Sequence, residues 1–75
     1  MERYKNLGGD SGVSGYTIGA GSITVYFMDG AVYLYTNASA GSARIRQMIQ
    51  LATAGEGLNS FINREVRNNY AKRIR

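Results

Sequence analysis

The run Ser22 to Tyr35, SITVYFMDGAVYLY, holds two segments of alternating character separated by an Asp29-Gly30 pair. Alternation with period two is the pattern of β-strands, and Asp-Gly between two such segments is a strong hairpin signal. A two-residue type I′ loop needs positive φ at both central positions, which glycine adopts without a Cβ clash. With Asp29 and Gly30 as that loop, Tyr26 stands opposite Tyr33, Val25 opposite Leu34 and Thr24 opposite Tyr35. Ile23, Val25, Phe27, Val32 and Leu34 then share a face suited to a core, while Thr24, Tyr26, Tyr33 and Tyr35 share the other. The second face is tyrosine-rich and open to a partner.

Residues 1–12 carry three glycines and no periodicity, so they read as an N-terminal arm, with residues 13–75 forming a single domain. A short first strand fits Val13 to Ile18, joined to the hairpin through Gly19-Ala20-Gly21. If that turn uses three residues, Tyr16 lies opposite Thr24 and joins the tyrosine face; a different loop length flips it. After Tyr35, residues Thr36 to Ser42, TNASAGS, read as a polar small-residue connector, and the pattern then becomes helical. Ser42 suits an N-cap for a helix from Ala43 to Ala54, whose apolar stripe is Ile45, Met48, Ile49 and Ala52, and Gly55 suits its C′ position. A second helix is expected from about Leu58 to about Arg73, with Leu58, Phe61, Ile62, Val66 and Tyr70 on its buried side. The expected fold is α+β: a three-stranded antiparallel β-meander packed against a C-terminal two-helix hairpin.

A chain of 75 residues is one domain near the lower size limit for a single core, which makes a homo-oligomer one route to extra support. It contains neither cysteine nor histidine, which excludes disulfides, zinc-thiolate sites and histidine-based catalysis, and suits a reducing, cytoplasmic setting. Glu2, Asp10, Asp29, Glu56 and Glu65 form no acid-base motif. The expectation is a protein that is not an enzyme and needs no metal or cofactor. The glycine-rich stretches Gly8 to Gly12 and Gly19 to Gly21 lack the lysine and following helix of a phosphate loop, and read as turns. No apolar stretch approaches the roughly 18 residues of a membrane span, and the first residues carry no signal-peptide pattern, so no membrane partner is expected.

The charge balance points to an anionic partner. Formal net charge is +4, arginines outnumber lysines seven to two, and most of the basic residues lie from Arg44 onward. Guanidinium groups fork onto phosphate oxygens and stack on bases, which favours nucleic acid or nucleotide phosphate. On the expected second helix Arg64, Asn68 and Arg75 fall on one stripe, with Arg67 adjacent and Lys72 close by. Arg44 and Arg46 follow Ala40-Gly41-Ser42, a helix start whose free N–H groups could hold a phosphate or could be capped by the serine. The alternative for all these cations is a solvated face. Tyr16, Tyr26, Tyr33 and Tyr35 admit three readings: stacking against bases, forming a homodimer interface, or bracing the sheet through cross-strand pairs.

The stretch Asp29-Gly30-Ala31-Val32-Tyr33-Leu34-Tyr35 resembles the central Y-x-Y signature of the KTSC domain. That short module occurs at the C-terminus of some lysyl-tRNA synthetases and as a stand-alone bacterial or phage protein. Gly57 to Tyr70, GLNSFINREVRNNY, is similar to its closing helix, and the resemblance covers roughly residues 11–72. Many members carry valine-proline after the Y-x-Y strand, where this chain reads TNASAGSA. The resemblance implies the same α+β fold and, since RNA binding has been suggested for the family, a small non-enzymatic module that engages RNA, single-stranded DNA or nucleotide phosphates. The competing expectation is a protein-interaction or self-association module, including a phage protein that sequesters a nucleotide signal or inhibits a host protein.

Overall fold

The computed structural model describes residues 1–9 and 11–75; Asp10, one of the carboxylates named above, lies outside the described residues. Its centre is the hairpin of β3 (Ser22–Phe27) and β4 (Val32–Thr36). The Gly30 N–H donates to the Phe27 carbonyl at 3.0 Å and the Phe27 N–H to the Ala31 carbonyl at 2.8 Å, so the loop is the three residues Met28, Asp29 and Gly30. Gly30 has φ of 94°, whereas neither Met28 nor Asp29 takes positive φ. That geometry is a turn closed by a single glycine, and it replaces the expected type I′ pair. The Asp29 carboxylate reinforces it by accepting the Ala31 N–H at 3.0 Å.

One extra loop residue turns β4 over. Ile23 lies opposite Tyr35, Val25 opposite Tyr33, Thr24 opposite Leu34 and Tyr26 opposite Val32, which corrects the expected register throughout. Tyr33 and Tyr35 therefore share the face of Ile23 and Val25, and Val32 and Leu34 share that of Thr24 and Tyr26. The preceding turn departs in the same way. β2 (Val13–Gly19) pairs Gly19 with Ser22, so that loop has two residues and Tyr16 faces Val25 instead of Thr24. A bulge between Val13 and Gly15 lets Val13 and Tyr16, three residues apart, both point into the core.

Among the described residues the sheet has five antiparallel strands in chain order where three were expected. The segment read as an arm supplies β1 (Glu2–Arg3) on β2, and the last residues supply β5 (Lys72–Arg73) on β4. The arm is tied down by Tyr4, which is buried and whose hydroxyl accepts the Leu58 N–H at 3.2 Å. Gly15 is required where the arm crosses, since a Cβ there would stand 2.8 Å from the Glu2 carbonyl oxygen.

Helices cover one face of this sheet. α1 (Asn37–Ala40) starts at a capping box in which the Thr36 side chain accepts the Ser39 N–H at 3.1 Å and the Ser39 hydroxyl accepts the Thr36 N–H at 3.0 Å. α2 (Ser42–Ala54) has Gly41 at its N-cap with no side-chain cap, so Ser42 is the first helical residue instead of the expected cap. Gly55 closes α2 in the left-handed conformation, as the sequence predicts. α3 (Leu58–Phe61) continues as a π-helical turn, Ile62–Val66, and there the expected long second helix ends. Asn68 and Asn69 are weak helix formers, and the chain beyond them returns to the sheet through an Ala71 N–H bond to the Leu34 carbonyl at 2.7 Å. The core joins Ile23, Val25 and Tyr35 to Ile45, Met48 and Ala52 of α2 and to Leu58, Phe61, Ile62 and Val66. Val32, expected in that core, is buried on the opposite face and stands outside the cluster. Among the described residues no helix is long and apolar enough to cross a membrane.

Because the loop uses one left-handed residue, Gly30→Ala should destabilise the protein by about 1–2 kcal/mol, the cost of the left-handed conformation for an L-residue. Urea denaturation measures this, and unchanged stability would show that the loop can relax to another geometry.

Candidate nucleotide-binding groove

The reversed β4 brings two tyrosines under the turn that follows α3. Tyr33 meets Tyr70 with ring centroids 4.8 Å apart and an interplanar angle of 40°. Phe27 meets Tyr33 edge-on at 5.8 Å, and Tyr70 meets Tyr35 edge-on at 6.4 Å. β5 pairs Arg73 directly opposite Tyr33, which sets its guanidinium over that ring at 5.6 Å from the centroid. Between this aromatic floor and the π-turn lies a groove of about 500 Å³, walled by Asn63, Arg67 and Asn68 on one side and the hairpin tip at Asp29 and Ala31 on the other.

Tyr35 is the buried end of the floor, 1% exposed. Burial, with Tyr33 and Tyr70 adding to it, pushes its phenol up to about 12. Its hydroxyl makes no hydrogen bond among the described residues, although none of their buried side-chain polar atoms lacks a partner. Tyr35 is one of the residues that line the groove. Tyr70 keeps an open surface, 38% exposed. The groove thus offers an aromatic surface, a phenol, two carboxamides and a guanidinium on one side, and a carboxylate at the hairpin tip.

The expected site residues separate into three groups. Tyr33, Tyr35, Arg67 and Asn68 converge on the groove. Arg44 and Arg64 are spent on Glu65, at 3.7 and 3.3 Å, and Arg64 also lies over the Phe61 ring at 6.0 Å. The remaining candidates point elsewhere. Tyr16 is 8% exposed and belongs to the core, which removes it from the expected open tyrosine face. Tyr26 stays on the outer face, its hydroxyl 3.2 Å from the Thr17 hydroxyl. Arg46 borders a separate depression beside Gly21, Asn37 and Ser42. Lys72 pairs opposite Leu34, and the Arg75 carbonyl accepts the Val32 N–H at 2.8 Å. With the helix ending at Val66, the expected stripe of Arg64, Asn68 and Arg75 does not form.

Sequence reasoning missed Asn63 and Tyr70 as groove residues, missed Arg73 over the Tyr33 ring, and assigned Asp29 to the turn alone. The Asn68-Asn69 pair was the available sign that the helix stops early, freeing Tyr70 to fold over Tyr33 and Arg73 to enter a strand. The chain matches no protein-family model, no curated protein and no solved structure.

Folding holds the Tyr35 proton between pH 10 and about 12, where the unfolded chain has released it. Stability from this group is therefore complete below pH 10 and is lost as pH rises through that window. Tyrosinate absorbance should show a phenol step near pH 12, and Tyr35→Phe should remove that step. All phenols titrating together near 10 would contradict the burial of Tyr35.

Proposed function

We propose that the chain is a small non-enzymatic binding module of the KTSC type that engages nucleic acid, as RNA or single-stranded DNA, or nucleotide phosphates through arginines and tyrosines. The observation that carries this reading is the groove in which Arg67 and Asn68 face the Tyr33, Tyr35 and Tyr70 cluster. Aromatic rings stack on bases whatever the sequence, and a guanidinium beside them can take the phosphate in a forked pair. The ion pairs support the same choice. Glu65 holds Arg44 and Arg64, and Arg73 donates to the Arg75 oxygen at 3.3 Å, while Arg67 makes no ion pair among the described residues.

Titration with single-stranded RNA and DNA across a salt series tests the reading. Binding should weaken as salt rises, and Arg67→Ala should lower affinity about tenfold or more, since a hydrogen bond to a charged group contributes about 1.5–3 kcal/mol. The same change should flatten the salt slope by about 0.7, the value for one phosphate contact on a single strand. Arg64→Ala should shift affinity little, because Glu65 already engages that side chain. Equal binding by the Arg67→Ala protein would contradict the proposal. No binding at all, together with a dimeric mass in solution, would favour the self-association reading instead.

A further inference from the structure

We propose that the groove accepts one nucleotide unit, a single unpaired base with its phosphate, and that the Asp29 carboxylate selects bases carrying an exocyclic amine. This rests on the nucleic-acid reading and narrows it to a ligand. Three observations carry it.

The first is size. A volume of about 500 Å³ falls within the range of roughly 300–1,000 Å³ typical of small-molecule sites. A groove that follows a strand needs successive stacking platforms. Here Tyr33 is partly buried and engaged by Tyr70 at 4.8 Å, Phe27 at 5.8 Å and Arg73 at 5.6 Å, so it offers less open surface than Tyr70. Tyr70, the exposed ring, is left as the platform for one base.

The second is the polarity at the two ends. Arg67 stands on the helical side and Asp29 at the hairpin tip, so the groove presents a cation to a phosphate and an acceptor to the far edge of the base. One Asp29 oxygen is used by the Ala31 N–H at 3.0 Å, and the other makes no hydrogen bond among the described residues. A carboxylate only accepts. It suits the N4 amine of cytosine and opposes the O4 acceptor that uracil presents at the same place. The third is Tyr35, a buried ring that lines the groove and whose hydroxyl makes no hydrogen bond among the described residues. A cation-binding aromatic cage fits less well, because the rings close on one another and Arg67 and Arg73 would repel the ligand.

Calorimetry of the full chain with CMP, UMP, inorganic phosphate and a short oligocytidylate tests the inference. CMP should bind about tenfold or more tighter than UMP, as expected for one base contact read by hydrogen bonding. Inorganic phosphate should compete weakly, and oligocytidylate should bind within a few-fold of CMP. Asp29→Asn retains an oxygen for the Ala31 N–H and should abolish the preference for CMP over UMP while leaving the fold intact. Equal binding of CMP and UMP with no effect of Asp29→Asn would overturn the selection. Oligocytidylate binding about a hundredfold tighter than CMP would overturn the one-nucleotide site while leaving the nucleic-acid reading standing. Failure of every ligand to bind would overturn both.

Discussion

The aromatic groove depends on the length of one hairpin loop, closed by a glycine with positive φ. Gly30 closes the central hairpin after three residues, and the Asp29 carboxylate fixes the turn by accepting the next N–H. Since strand side chains alternate, that loop length alone decides which face each β4 residue occupies. It sends Tyr33 and Tyr35 toward the helices, and Val32 and Leu34 away from them. A core built with tyrosine in place of valine and leucine has a polar atom at the end of each large ring. Tyr35 joins the core cluster and lines the groove.

The other half of the groove follows from where the last helix stops. α3 loosens into a π-turn, a local device often found at functional sites, and that turn ends at Val66 with Arg67 as its cap. The residues that follow are short of good helix formers, so Tyr70 can fold onto Tyr33 and the tail can pair with β4. That pairing sets Arg73 over the same ring. Charge is divided correspondingly. Glu65 takes up Arg44 and Arg64 on one surface, and Arg67 is left beside the aromatic floor.

The fold class and most of the core were legible in the sequence. The stripe Ile45, Met48 and Ala52, the left-handed Gly55, and the buried run Leu58, Phe61, Ile62 and Val66 follow from helical spacing and capping alone. The faces of β4 and the position of Tyr16 were not legible, because Asp-Gly serves a two-residue loop with two positive φ values and a three-residue loop with one. Local sequence does not separate these when both put apolar and aromatic residues on the two faces in turn. The short strands β1 and β5 were also hidden, since a two-residue strand leaves no periodicity and depends on contacts far along the chain, such as Tyr4 with Leu58. The groove was legible only in parts: Tyr33, Tyr35, Arg67 and Asn68 were recognisable by residue type, whereas Tyr70 needed the early end of the helix.

The hairpin register is the claim on which the groove, the buried Tyr35 and the choice of Arg67 all rest. Phe27 and Ala31 form a hydrogen-bonded pair, so alternation makes Tyr26 with Val32 and Thr24 with Leu34 the close, non-hydrogen-bonded pairs, their Cα atoms about 4.5 Å apart. Nuclear Overhauser spectra of the labelled protein should show strong cross-strand Hα contacts between Thr24 and Leu34 and between Tyr26 and Val32. Strong contacts instead between Val25 and Leu34 and between Phe27 and Val32 would mean a two-residue loop, with Tyr33 and Tyr35 on the opposite face, and would contradict this account.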